Sequence, residues 1–242
     1  MTLTVGSLFS GIGGLDLGLE RAGMKVIWQS EIDPYASAVL KKHWPDVVNH
    51  GNIKTIDWET VDRPDVLCGG YPCQPFSTAG KRQGTEDERH LWPWVLAAIS
   101  RLRPRYAIME NVRGHLSLGG TTVIGELARI GYCAEWRVIS ANSVGAPHLR
   151  QRIFIVAYPQ SSDGGITEPH RMVTAFGQAA KLGKQNCSIR TIGDWWKSEP
   201  NVGRVADGVP ARVDRLRGLG NAVVPQVAEV IGRLVIAHEK AI

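Results

Sequence analysis

The stretch Val5-Gly6-Ser7-Leu8-Phe9-Ser10-Gly11-Ile12-Gly13-Gly14-Leu15 decides the fold class. A short apolar run from Val5 to Phe9 breaks into a glycine-rich turn, and Leu15, Leu17, Leu19 and Ala22 then populate a helix. The order is strand, glycine turn, helix. Working outward, Lys25 to Ser30 is a second strand, followed by Asp33 and Pro34, a good N-cap and first-turn pair for a helix through Lys41. Asp65 to Cys68 is a third strand, ending in Gly69 and Gly70. Leu91 to Leu102 has helical spacing, and Ala107 to Met109 reads as a buried strand. Thr121 is placed to cap a helix that runs to Ile130 before Gly131. Strands alternating with helices predict an α/β fold, a doubly wound and mostly parallel sheet with helices on both faces. Glu135 to Ser140 and Ile153 to Ala157, separated by turn-rich residues, add a hairpin at one sheet edge.

Beyond the hairpin the pattern degrades into Gly, Ser, Pro and isolated apolar residues, with Trp195 and Trp196 as the one strong feature. The expected organisation is a main domain over residues 1–157, a small module over 158–216 and a C-terminal segment over 217–242. In that last segment Val227, Val230, Ile231, Leu234 and Val235 make Pro225 to His238 an amphipathic helix that packs back on the sheet. No internal repeat is visible.

The composition, 43% hydrophobic and 21% charged, suits a globular chain of 242 residues. No uninterrupted apolar stretch approaches the ~20 residues that span a bilayer, and Met1 to Gly14 lacks the layout of a secretory signal. A cytoplasmic location, with no membrane association, is the expectation. Cys68, Cys73, Cys133 and Cys187 lack the paired short spacings of a zinc site, so no metal is expected and any special cysteine is a reactive one. A formal net charge of +5 is compatible with a polyanionic partner without requiring one.

The glycine turn lets a ligand approach backbone and helix N–H groups, and Glu31 at the end of the second strand is placed to accept from ribose hydroxyls. This pair alone does not separate NAD from S-adenosylmethionine. The segment Gly69-Gly70-Tyr71-Pro72-Cys73-Gln74-Pro75-Phe76-Ser77 follows a strand and so sits at the carboxyl edge of the sheet, where α/β folds bind ligands. Pro72 and Pro75 restrict the backbone around Cys73, which suits a thiolate that must point in one direction. Cys68, inside the apolar strand, reads as inert core.

This segment resembles the catalytic loop of the cytosine 5-methyltransferase family, whose signature is Pro-Cys-Gln. Four further stretches match that family's motif series in order. Ser7 to Glu20 is similar to its cofactor loop, Glu110-Asn111-Val112 to its catalytic Glu-Asn-Val, Arg150-Gln151-Arg152 to its arginine motif, and Gly220 to Pro225 to its last motif.

The resemblance implies a Rossmann-like, S-adenosylmethionine-dependent DNA (cytosine-5-)-methyltransferase acting on double-stranded DNA. Cys73 would attack carbon 6 of a flipped cytosine while Glu110 hydrogen-bonds or protonates ring N3. The resulting enamine takes the methyl group at carbon 5, and loss of the carbon 5 proton then releases the enzyme. Arg152 would face the cytosine O2, and Arg150 would lie near the catalytic loop or phosphates. Phe9, Gly11, Ile12, Gly14, Glu31, Asn52, Ile53, Pro72 and Asn221 are the expected cofactor residues; Gln74, Ser77, Asn111 and Arg150 are the expected substrate residues. Residues 77–84, with Lys81 and Arg82, are placed to close over the flipped base. The module over 158–216 corresponds to the family's target recognition domain. A monomer suffices, and a cognate restriction endonuclease is a partner such enzymes have.

Tyr71 stands where the family pattern has the first proline of Pro-Pro-Cys-Gln, His148 where it often has Gln, and Asn52 where an Asp commonly meets the adenine amino group. The recognition interval is short, and its three Lys and five Arg against four Asp and two Glu make no strong basic patch. Val209-Pro210-Ala211-Arg212 with Leu216 resembles an abbreviated, phage-type version of the motif that precedes the last one. Trp195 and Trp196 are candidates for wedging into or stacking on DNA, though core packing suits at least one of them. Three rivals remain at this stage: a relative that methylates transfer RNA, a non-catalytic DNA-binding relative, and a Rossmann dehydrogenase. The last leaves four of the five motifs unexplained.

Overall fold

A computed structural model describes residues 2–72, 91–115, 119–160 and 212–240. Cys73, Gln74, Ser77, Lys81, Arg82, Trp195 and Trp196 lie outside the described residues, as does most of the expected recognition module.

The described elements run β1 (Thr4–Leu8), α1 (Gly14–Arg21), β2 (Lys25–Ser30), α2 (Pro34–His43), β3 (Val48–Asn49), β4 (Val66–Gly69), α3 (Trp92–Leu102), β5 (Tyr106–Val112), α4 (Thr121–Arg129), β6 (Tyr132–Ser140), β7 (Gln151–Pro159), α5 (Arg212–Asn221) and α6 (Pro225–Glu239). They form one seven-stranded sheet in the order β3-β2-β1-β4-β5-β7-β6. Strands β1 to β5 pair parallel, while β7 is antiparallel to both β5 and β6. The hairpin expected at a sheet edge is there, with β7 inserted beside β5 and β6 left as the edge strand.

Strand order reverses at β1: the chain leaves it toward β2 and returns on its other side as β4. A crevice therefore opens beyond the carboxyl ends of β1 and β4, the position where doubly wound sheets bind ligands. The two strands approach closely, because a Cβ on Gly69 would lie 2.9 Å from the Leu8 carbonyl oxygen.

Side-chain alternation along the strands sorts the core into two faces. Val66 and Cys68 of β4 join Leu15, Leu19, Val227, Ile231 and Val235 on one face. Leu67 joins Val95, Ile99, Leu102, Val123 and Leu127 on the other. Helices α1 and α6 pack at short range because small residues meet: a Cβ on Gly18 would fall 2.4 Å from that of Ala228, and one on Gly232 2.7 Å from that of Ala22. The stretch Gly218–Glu239 is long and apolar enough by length and composition to cross a membrane, although Glu229 and Arg233 interrupt its apolar run, so the expectation of no uninterrupted apolar stretch of that length is unaffected. In the fold it is split between the end of α5 and α6, and Val227, Ala228, Ile231 and Val235 are buried in the sheet-packed core.

Local signals acted largely as their chemistry requires. Asp33 caps α2 by accepting from Ala36 N–H at 2.9 Å, with Pro34 in the first turn. Gly131, with φ +80, follows the end of α4. Thr121 does not cap α4: Gly120 occupies the cap in a helical conformation, and Thr121 is the first helical residue, so its hydroxyl is not ahead of the free N–H groups. The two-residue β3 was not anticipated. Helix α5 runs across position 216/217, where the sequence reading divides the small module from the C-terminal segment.

Candidate active site

The crevice at the switch point is a cleft of about 450 Å³. Every residue expected from sequence to hold the cofactor lines it: Phe9, Gly11, Ile12, Gly14, Glu31, Asn52, Ile53, Pro72 and Asn221. Glu110, Asn111 and Arg152 line the same cleft. Arg150 is not among the lining residues; its Nη1 donates to the Gly220 carbonyl at 2.8 Å, next to Asn221.

The glycine loop is bent by backbone conformations that side chains resist. Gly11 and Gly13 have φ of +56 and +84, and Phe9 holds φ +51 despite carrying a side chain, a strained position at the lip of the cleft. Gly14 is required by contact, since a Cβ there would sit 2.4 Å from the Val223 carbonyl oxygen. The loop is also tied internally: Gly13 N–H donates to the Ser10 carbonyl at 2.9 Å, and Gly11 N–H to Glu31 Oε2 at 2.7 Å.

Glu31 accepts a second backbone bond through Oε1, from Asp33 N–H at 2.8 Å. The carboxylate thus fastens the glycine loop to the start of α2. Asn49 supports it from below, accepting from Glu31 and Gly51 N–H groups and donating to the Glu31 carbonyl and Ser37 Oγ. Asn52 spends its side-chain oxygen on Lys54 N–H at 3.0 Å, capping a short 3₁₀ turn over Ile53–Thr55.

Beneath the loop lies a network that sequence reasoning passed over. Asp16, fully buried in the first turn of α1, accepts from Ser7 Oγ at 3.0 Å and from Gln29 Nε2 at 2.8 Å; Ser10 Oγ lies 3.0 Å from Ser7 Oγ. Burial raises the Asp16 pKa to about 6 against the lowering effect of these donors. The available signal was an acid on the otherwise apolar face of α1.

On the other side of the cleft, β5 and β7 pair with Val112 opposite Arg152 and Glu110 opposite Phe154. Glu110 and Arg152 are therefore diagonal neighbours on one face. Arg152 Nε lies 2.9 Å from Glu110 Oε1, and Arg152 Nη1 donates to the Gln151 carbonyl at 3.0 Å. Glu110 is 7% exposed. Burial pushes its pKa up, opposed by the guanidiniums of Arg152 and Arg150. Its other carboxylate oxygen would be 2.9 Å from a Cβ on Gly70, so glycine at 70 lets the loop after β4 pass close to the acid. Asn111 donates through Nδ2 to the Tyr71 carbonyl at 3.1 Å. Cys68 is fully buried in β4, and burial pushes its thiol pKa far up, which keeps it protonated and inert.

The charged side chains among the described lining residues are Glu31, Asp33, Glu110 and Asp214 against Arg152 alone. With the Gly11 N–H engaged by a carboxylate, this glycine turn is poorly suited to a diphosphate and well suited to a ligand that carries positive charge.

Comparison with known proteins agrees with this geometry. The model of the family described as C-5 cytosine-specific DNA methylase matches residues 3–199. The Type II methyltransferase M.NaeI of Lentzea aerocolonigenes is 33% identical over 233 residues, covering 91% of this chain and 54% of that protein. The Type II methyltransferase M.NgoMIV of Neisseria gonorrhoeae is 36% identical over 162 residues, covering 65% and 52%. The chain thus spans about half the length of these curated relatives. The crystal structure of a Spodoptera frugiperda DNMT2 mutant superposes with a TM-score of 0.69 over 97% of this chain and 100% of that one, at 16% identity, a likeness of fold. A putative DNA modification methyltransferase encoded within an E. coli prophage gives a TM-score of 0.55 at 26% identity, over 65% of this chain and 47% of that one. With its glycine loop, Glu-Asn-Val strand end and Arg152 arranged around one cleft, the chain belongs to the C-5 cytosine-specific DNA methylase family.

Proposed function

We propose that the protein transfers a methyl group from S-adenosylmethionine to carbon 5 of cytosine in double-stranded DNA, with Cys73 as the covalent nucleophile. The observation that carries this reading is the ion pair between buried Glu110 and partly exposed Arg152, facing the same cleft as the glycine loop, with Gly70 to Pro72 on its rim.

The cleft fits the cofactor by its charge. Its acidic lining suits a sulfonium ligand without phosphates and weighs against a dinucleotide. Phe9, Gly11, Ile12 and Gly14 would pass along the cofactor, Glu31, Asn52 and Ile53 would hold its nucleoside end, and Pro72 and Asn221 its methionine end. When bound, S-adenosylmethionine supplies the electrophilic methyl group that carbon 5 takes.

The remaining chemistry belongs to the chain. Carbon 5 of cytosine is a weak nucleophile while the ring stays aromatic, so Cys73 adds to carbon 6 and interrupts the conjugation. Glu110, protonated more readily than an ordinary carboxylate because it is buried, shares a proton with ring N3 as charge builds there. Arg152 holds Glu110 in place and presents its guanidinium to the cytosine O2. A cytosine stacked in a duplex cannot reach this cleft, so the base is flipped. Residues 158–216 serve as the target recognition module, with Gln74, Ser77, Asn111 and Arg150 assisting at the substrate. The enzyme acts as a cytoplasmic monomer, alongside a cognate restriction endonuclease.

The test is incubation with isotopically labelled S-adenosylmethionine and either unmethylated duplex DNA or transfer RNA, followed by nucleoside mass spectrometry. Labelled 5-methyldeoxycytidine is expected. Label confined to RNA would overturn the substrate and keep the chemistry, and no label in either would leave a non-catalytic relative. Cys73→Ser is expected to abolish transfer with cofactor binding nearly unchanged, and retained turnover would refute the covalent step.

A further inference from the structure

The departure from the family pattern at position 71 has a structural counterpart. Strand β4 ends at Gly69, and only Gly70, Tyr71 and Pro72 separate it from Cys73. Where the pattern has a second proline, two adjacent pyrrolidine rings would stiffen the chain just before the nucleophile. A tyrosine fixes no dihedral of its own, although the proline after it favours extended backbone.

Tyr71 is instead held at both ends. Its ring is 4% exposed, packed 5.2 Å from Trp92 at the start of α3 and edge-on at 5.5 Å to His115. Its hydroxyl lies 2.7 Å from His115 Nε2, a bond between two buried side chains. Its carbonyl accepts from Asn111 Nδ2. Asn111 and His115 both belong to the run that follows Glu110, so the approach to Cys73 is stapled to the strand end that carries the acid. Neutral His115, whose protonation burial disfavours, can serve as either partner of the hydroxyl through its choice of tautomer.

We propose that Tyr71 and His115 are positioning residues. Their hydrogen bond fixes the loop base, hence the direction in which Cys73 is presented, relative to Glu110. The inference rests on the assignment of Cys73 as nucleophile. A small misplacement of a reacting group can cost up to about a hundredfold in rate, so a lost tether is read in the chemical step and not in cofactor binding.

The experiment compares wild type with Tyr71→Phe, His115→Leu, His115→Gln and the Tyr71→Phe/His115→Leu double variant. It measures the single-turnover methylation rate on duplex DNA and the affinity for S-adenosylmethionine. Tyr71→Phe and His115→Leu are each expected to slow the single turnover roughly tenfold, with cofactor affinity within about twofold. The double variant should be no slower than either single, and His115→Gln, which restores a donor to the tyrosine oxygen, should regain most of the rate. Unchanged rates, or losses that multiply in the double variant, would overturn the tether. A second measurement does not depend on methyl transfer: amide hydrogen exchange over Cys68–Tyr71 should be faster in Tyr71→Phe than in wild type, with exchange in β1 unchanged. Equal exchange refutes the tether even in an active enzyme. Faster exchange in a protein that methylates nothing supports the tether while overturning the proposed function.

Discussion

The half of the cleft floored by β1, β2 and β4 and the half formed by β5 and β7 solve different problems. In the first, parallel strands deliver a glycine turn, and the ionic side chains near it, Glu31 and Asp33, are acidic. In the second, antiparallel pairing sets an acid diagonally against a guanidinium. Each half also buries a carboxylate. Asp16 sits among neutral donors, Ser7 and Gln29, and ties together β1, α1 and β2. Glu110 sits between desolvation, which favours its proton, and Arg152 and Arg150, which favour its charge. Both pKa values are raised, but only the second acid opens onto the cleft, so a raised carboxyl is a candidate for chemistry only where it also meets a cleft.

The sharpest test of the division is Glu110→Gln. It keeps the shape and removes the shared proton, so a loss of about 10²–10⁴ in the single-turnover rate is expected, with cofactor affinity little changed. A comparable loss of cofactor affinity would merge the two halves into one.

Asp16 should show itself in stability. Its folded-state value of about 6 exceeds the ordinary aspartate value of 3.8, so the buried acid contributes stability below about pH 4 that is lost as pH rises through 6. The stability difference between wild type and Asp16→Asn, followed by denaturant unfolding, should therefore shift against wild type by about 3 kcal/mol across that window. A constant difference would mean that Asp16 keeps one protonation state throughout.

Gly14→Ala should disturb the first half. Its Cβ meets a carbonyl oxygen of the Val223 backbone, which has no flexible end to move away, so a loss of about 1–3 kcal/mol of stability and weaker cofactor binding are expected from melting and binding titrations. The smallest effect expected is that of Arg150→Gln. Removing a cation that lowers the Glu110 pKa leaves the acid protonated to higher pH, so the alkaline limb of kcat/KM should move upward. Movement downward would mean that Arg150 acts on another group.

Much of the first half was legible in the chain because its signals are local. A strand, a glycine turn and a helix are consecutive in sequence, and the Asp33-Pro34 start of α2 needs no distant partner. Glu31 was found for its position after β2, yet its hydrogen bonds to Gly11 and Asp33 were not foreseen, because they depend on how two loops meet. Asp16 was missed because an acid in a first helical turn ordinarily faces solvent and favours the helix dipole. Its place on the apolar face of α1 was the one hint, and packing against Ser7 and Gln29 shows that it is buried.

The sequence by itself determined the alternation of elements and the glycine turn, since these depend on backbone stereochemistry and on periodicities of 2 and 3.6 residues, and it carried the motifs through their resemblance to a known family. Tertiary structure decided which strands became neighbours, and with them the diagonal approach of Glu110 to Arg152, the seat of Arg150 on Gly220 and the tie from Tyr71 to His115. Those contacts join residues 42, 70 and 44 positions apart. At such separations no local propensity acts, and the pairing is set by the sheet order and by the requirement that buried polar groups find partners.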